Sequence, residues 1–292
     1  MKKLWLLILS LFSTAVLTAD DAVAEKMLLR QWAGNVSMNI PFIAHKVNID
    51  GNINGKEWAK AAEIAGFSLL KGNYVSCGSG ALKLMRDKDN LYIAIRMSAV
   101  NNEPGGGLRA AVTDRDGQVY FDDSVDILLI SDHNSKIMYQ FIINPLGTLW
   151  DARRDLALND AVDLKWNLKN ARVKAQVVNG FWDIEAAFPL AGIGIPKKYL
   201  KINVGRNWKE AGPALLNAAS KYFTVDRMVT VRWDKKRGTM RQPDFGAIGN
   251  GEWKIALSAD NPTDKELCLA AMLRHYTYSP DKKQKIMHTW DM

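Results

Sequence analysis

Asp89-Asn90-Leu91-Tyr92-Ile93-Ala94-Ile95-Arg96-Met97 is the stretch that decides the fold class. Leu91, Ile93, Ile95 and Met97 alternate with Tyr92, Ala94 and Arg96, the period of two that a half-buried strand requires. The run Asp87-Lys88-Asp89-Asn90 in front of it is a turn of short polar side chains. Leu82 and Leu84 supply the strand that enters that turn.

The same pattern repeats outward along the chain. Residues 125–130 form a nearly continuous apolar run, as a central strand does. Tyr139, Phe141 and Ile143 alternate again and stop at Asn144-Pro145-Leu146-Gly147, whose Pro and Gly favour a turn into a strand at 148–151. Ala171, Val173, Ala175 and Val177 face one way, with Arg172, Lys174 and Gln176 facing the other. Asn179-Gly180 is a two-residue hairpin signal leading to Trp182, Ile184, Ala186 and Phe188, and Pro189 ends that strand. Ile202 with Val204, and Val229 with Val231, mark two more. Only 55–63 and 189–193 read as short helices. The expectation is an all-β, antiparallel β-sandwich of jelly-roll or immunoglobulin-like type with one or two short helices.

Composition narrows the function. Two cysteines, Cys77 and Cys268, cannot build a disulfide framework or a paired-cysteine metal site, and four scattered histidines leave little for a multi-His centre. Lys2-Lys3, an apolar run from Leu4 to Leu17, and Ala22-Val23-Ala24 have the order of a secretory signal peptide cut after Ala24. The expected compartment is therefore secreted, periplasmic or cell-surface, with no membrane span beyond the signal peptide. Cleavage would remove two lysines and two aspartates and leave the net charge at +8. The basic residues are spread along the chain, and with export they read as a solvated face, not a nucleic-acid site. The expected organisation is a signal peptide at 1–24, a lead segment at 25–39, a sandwich at 40–257, and at 258–292 a tail or the start of a further domain. In that last segment one strand is expected at 267–273, followed by a charged, unpatterned end.

The order of landmarks resembles family 9 carbohydrate-binding modules and their DOMON-related relatives. The resemblance rests on Ile49-Asp50-Gly51 with Glu57-Trp58, on Asp89-Asn90-Leu91-Tyr92-Ile93-Ala94, and on Asp122-Asp123-Ser124-Val125-Asp126. It continues through Gln140-Phe141 with Asn144-Pro145-Leu146-Gly147, Glu185 before Pro189, Val204-Gly205-Arg206-Asn207, and Pro243 with Phe245-Gly246. It implies a non-catalytic module that binds polysaccharide or oligosaccharide and is linked to glycan degradation. Such modules stack aromatic rings on the apolar faces of sugars. The resemblance matches one platform aromatic to Tyr120. The second platform falls at Met240 or Arg241, and a binding arginine is replaced by Ile142.

Other residues are candidates for the missing contacts. Trp150, followed by Asp151, Arg153 and Arg154, sits at a strand end after a turn, and Asn207-Trp208 precedes a Gly-Pro loop. The candidate saccharide-binding set is Tyr120, Trp150, Arg153, Asn207 and Trp208. Asp114, Asp116, Asp122 and Asp123, alternating near Gly117, have a composition suited to Ca²⁺, although the EF-hand spacing fails. Trp58 is expected to plug the sandwich end, and Glu185 to be structural with a basic strand neighbour. No Ser-His-Asp order, phosphate loop or HExxH motif points to an enzyme. Two alternatives stay open: a structural spacer with a degenerate sugar site, and a haem-binding redox module using Met85, Met97, Met138 or Met228.

Overall fold

The computed structural model describes residues 37–53, 55–65, 68–69, 80–99, 107–132, 134–207, 214–215, 225, 228–244, 256–262, 272–278 and 284–291. The strands are β1 (Ser37–Asn39), β2 (Ala62–Ala65), β3 (Ser68–Leu69), β4 (Ala81–Arg86), β5 (Asn90–Ser98) and β6 (Ser124–Ser131). Next come β7 (Ile137–Ile143), β8 (Leu149–Asp155), β9 (Ala161–Asp163), β10 (Arg172–Val178), β11 (Phe181–Pro189) and β12 (Tyr199–Asn207). The last are β13 (Ala214–Leu215), β14 (Val229–Arg232), β15 (Thr239–Asp244), β16 (Ala256–Asp260), β17 (Met272–Tyr278) and β18 (Gln284–Asp291). One sheet, A, runs β1-β14-β12-β6-β7-β8-β9; the other, B, runs β10-β11-β5-β4-β2-β15-β16. Neighbours are antiparallel except β1 with β14 and β2 with β15.

Period-two alternation is what lets the sheets face each other. Leu91, Ile93, Ile95 and Met97 of β5 and Trp182, Ile184, Ala186 and Phe188 of β11 point from sheet B into the core. Val125, Ile127 and Leu129 of β6 and Phe141 and Ile143 of β7 meet them from sheet A. Phe141 stacks on Phe188 across the gap, with ring centroids 4.2 Å apart. The turns behave as their residues dictate: Asn179 and Gly180 both take positive φ in the β10–β11 hairpin, and Gly147 does so after Pro145-Leu146.

Both expected helices shrink to single 3-10 turns, Lys56–Trp58 and Leu190–Ile193. Neither has a side-chain cap at its N-terminus, and the chain enters β2 only four residues after Trp58. Trp58 does plug the sandwich, but over the outer side of sheet B and not its end. There it packs with Ile43, Val47, Ile53, Met85, Tyr92 and Ala187 in a second apolar cluster. Glu185, fully buried on that outer side, accepts hydrogen bonds from the amides of Asp50 (2.8 Å) and Gly51 (2.7 Å) and from the Trp58 indole (2.6 Å). Its role is structural as expected, but its partners are amides and an indole, not a basic neighbour. Burial lifts this carboxyl above its ordinary value, and the donors oppose the lift.

The C-terminal part carries more strand than its composition suggests. β16 pairs with β15 and runs three residues past the expected boundary at 257. β17 and β18 form an antiparallel hairpin of their own. Residues 272–273 of the expected 267–273 strand lie in β17, and 267–271 are outside the described residues. The expected unpatterned end contains β18, whose register against β17 shifts at Met287 and so breaks the period of two.

Candidate functional site

The outer face of sheet A is where the sequence-derived site residues meet. Because β6 sends Val125, Ile127 and Leu129 inward, Ser124, Asp126, Leu128 and Ile130 must point out. Strand register then places Trp150, Ile142, Asp126 and Gly205 in one row across β8, β7, β6 and β12. The adjacent row is Ala152, Gln140, Leu128 and Asn203, and Arg154 and Met138 begin the next. Leu128, Ile130, Met138 and Met228 pack together at the far end of this face, with Leu156 and Val225 against them.

At the near end three aromatic rings gather. Tyr120 and Phe121 stand on a 3-10 turn (Val119–Phe121) that enters β6, and they are 38% and 52% exposed. Their centroids are 4.9 Å apart, and Tyr120 meets Trp150 edge-on at 6.3 Å. Such a patch offers ring faces to solvent at an open surface, the geometry a sugar ring can stack on.

The same face of sheet A carries a polar chain. Gln140 Nε2 donates to Asp126 Oδ2 (2.7 Å), and Arg154 Nε donates to Gln140 Oε1 (2.8 Å). Asp126 Oδ1 is buried with no hydrogen-bond partner among the described residues. Burial pushes this carboxyl up to about 7, against the Gln140 hydrogen bond and the charge of Arg154. An acid group that changes protonation near neutrality therefore sits in the floor of the face.

The turn bearing Tyr120 is fixed by the carboxylates next to it. Asp122 accepts from the amides of Ala111 (3.0 Å) and Val112 (2.9 Å) and from Asn144 Nδ2 (2.9 Å). Burial raises the Asp122 carboxyl, but these donors outweigh it and hold the group below its ordinary value. Asp123 accepts from the Arg109 amide at 2.6 Å. Asp114 is exposed, and Asp116 sits at φ 62° with Oδ1 toward the Asp151 amide (3.3 Å). The structure does not bring the four candidate Ca²⁺ ligands together: no cluster of three or more His, Cys, Asp or Glu side chains occurs among the described residues. The fold's own amides occupy Asp122 and Asp123.

Of the candidate saccharide contacts, Tyr120 and Trp150 meet in the patch. Asn207 shares their face and lies 3.4 Å from Ser124 Oγ. Arg153 does not join them, because alternation turns it to the opposite side of β8, where it pairs with Asp163 at 3.0 Å. The arginine on the face of Trp150 is Arg154. Trp208 lies outside the described residues. Phe121, Asp126 and Gln140 were missed by sequence reasoning, and Arg154 was named beside Trp150 but left out of the candidate set. Asp126 carried a signal, a lone charge inside the apolar run 125–130. The four methionines considered for haem are packed in three separate apolar clusters, Met85 outside sheet B, Met97 in the core, and Met138 with Met228 outside sheet A.

Comparison with known proteins places these observations in a wider set. A family model described as "carbohydrate family 9 binding domain-like" matches residues 49–210. A candidate carbohydrate-binding protein from Bacteroides uniformis superposes with a TM-score of 0.56 at 10% identity, over 68% of this chain and 99% of that one. A family 9 carbohydrate-binding module from Caldicellulosiruptor kristjanssonii in complex with glucose gives 0.47 at 14% identity, over 68% and 95%. The same organism's family 9 module in complex with cellotriose gives 0.46 at 13%, over 75% and 100%. No curated protein sequence matches the chain.

Proposed function

The chain belongs to the carbohydrate family 9 binding domain-like family, and on that premise we propose that it is an exported, non-catalytic saccharide-binding module that serves glycan degradation. The observation that carries the reading is the patch of exposed Tyr120 and Phe121 with half-buried Trp150, on the face of sheet A that also carries Asp126, Gln140 and Arg154. The rings take the apolar face of a pyranose, and Asn207 and Arg154 at the margins bond its hydroxyls. The charged, apolar, small-residue order of the first 24 residues supports export.

The test is binding to soluble and insoluble glucans and xylans, comparing wild type with Tyr120→Ala and Trp150→Ala. Loss of Trp150 is expected to weaken binding about tenfold to a hundredfold with the melting temperature little changed. A folded protein that binds no polysaccharide would favour the second reading, a spacer with a degenerate site. Ile142 supports that reading, because an aliphatic side chain stands between Trp150 and Asp126 at the position that the resemblance matches to a binding arginine of a sugar-binding member.

A further inference from the structure

Where β5 begins and β11 ends lies a cavity of about 520 Å³. Its place follows from register: Asn90 at the start of β5 pairs with Pro189 at the end of β11. Ser131 Oγ, at the opposite end of β6 from Ser124, donates to the Gly194 carbonyl (2.6 Å) just after the turn Leu190–Ile193.

The lining has a distinct chemistry. Lys46, Lys88 and Arg172 stand around it, all exposed, and none has an ion-pair partner among the described residues. Asp89 is the one carboxylate among the described lining residues, so positive charge dominates. The wall is apolar, with Leu190 buried beneath and Ile195 57% exposed beside it. No aromatic ring is among the described residues that line the cavity.

The frame is held in place by the fold. Asp87 Oδ1 accepts from the amides of Asp89 (2.7 Å) and Asn90 (2.6 Å), and Asp87 Oδ2 accepts from the Tyr92 hydroxyl (2.8 Å). The Leu190 amide donates to the Asp89 carbonyl at 2.8 Å. Lys88 is thus carried on a pinned turn, and Arg172 is at the start of β10, next to the left-handed Asn170.

We propose that this cavity is a second binding site, independent of the aromatic patch, for a carboxylated saccharide. Unpaired cations at a concave surface focus the field for an anion, and charge-assisted hydrogen bonds from Lys and Arg hold a carboxylate. The aliphatic wall accepts the carbon–hydrogen face of the same sugar ring. With no ring to stack on, a neutral sugar has little to hold it here, so the site selects for charge.

The test is calorimetric titration of the full chain with trigalacturonate, with its methyl ester, and with inorganic sulfate. The acid is expected to bind, more weakly as salt rises, while the ester, which has the same rings without the charge, does not. Lys88→Gln combined with Arg172→Gln is expected to weaken the acid about tenfold or more, and Arg172→Lys to retain most of the binding. Trp150→Ala should leave trigalacturonate binding unchanged while reducing neutral glucan binding, which separates this proposal from the preceding one. Equal binding of acid and ester, sulfate competing as strongly as its charge alone predicts, or loss of acid binding in Trp150→Ala would each overturn it.

Discussion

Glu185 and Asp126 are buried carboxyls on the outer faces of sheets B and A, and the two are treated in opposite ways. Glu185, outside sheet B, receives three donors and is sealed under Trp58 and the segment that leads to it. Asp126, outside sheet A, receives one donor on one oxygen, and its other oxygen has none among the described residues. A saturated carboxylate ties loops to a sheet and tolerates no loss. A half-satisfied one is costly to ionise and leaves its face poised to change with pH or contact. The two carboxyls thus sit in different settings: around Glu185 the chain itself closes sheet B's outer side, while beside Trp150 sheet A's outer side presents Tyr120 and Phe121 to solvent.

The largest expected effect breaks the closed side. Glu185→Ala strands two amides and an indole N–H and should cost about 3–5 kcal/mol in urea unfolding, with Glu185→Gln costing less because an acceptor remains. An alanine variant as stable as wild type would remove the contrast on which the comparison stands.

A smaller effect sharpens the open side. The folded Asp126 carboxyl titrates at about 7, against about 3.9 in an unfolded chain. Between those values the unfolded state releases its proton first. The stability linked to this group is therefore fully present below about pH 4 and is lost as pH rises to about 7. Asp126→Asn should abolish that decline and be more stable than wild type at alkaline pH by on the order of 2–4 kcal/mol. Melting curves from acid to alkaline pH check it; parallel curves for the two proteins would contradict it.

The smallest effect tests whether the exposed rings are for contact or for packing. Phe121→Ala should lower saccharide affinity severalfold and change stability by less than about 0.5 kcal/mol. A stability loss larger than the affinity loss would make Phe121 a packing residue and leave the patch to Tyr120 and Trp150.

How far these faces were legible in the sequence depends on which physics fixes each residue. Strands such as Leu91–Met97 and hairpins such as Asn179-Gly180 are local, so alternation and turn chemistry reveal them directly. Tyr120 was legible through the resemblance, just before the Asp122-Asp123-Ser124 landmark, and Trp150 as an aromatic at a strand end after a turn. The neighbours of Trp150 were not. Choosing Arg154 over Arg153 needs the register of β8 against β7, and placing Trp150 in a row with Asp126 needs β6 as well. Register is set by the whole core and not by any one strand. Asp122 and Asp123 failed as metal ligands for the same reason, since Ala111, Val112 and Arg109 reach them only after folding.

The pairing of β1 with β14 also has a consequence in time. Ser37 to Asn39 lie in register with Thr230 to Arg232, and the Asn39 amide side chain donates to the carbonyls of Asp234 (3.1 Å) and Arg237 (2.9 Å). β2 likewise waits for Arg241 of β15. Both sheets therefore draw an early strand onto a late one, and on a ribosome neither pairing can form until β14 and β15 have emerged. Contacts this distant in sequence carry a high loop-closure cost before any reward, which places folding in the slow, millisecond-to-second regime of sandwich proteins. The nascent chain is kept open for most of its synthesis by the order in which its strands are made.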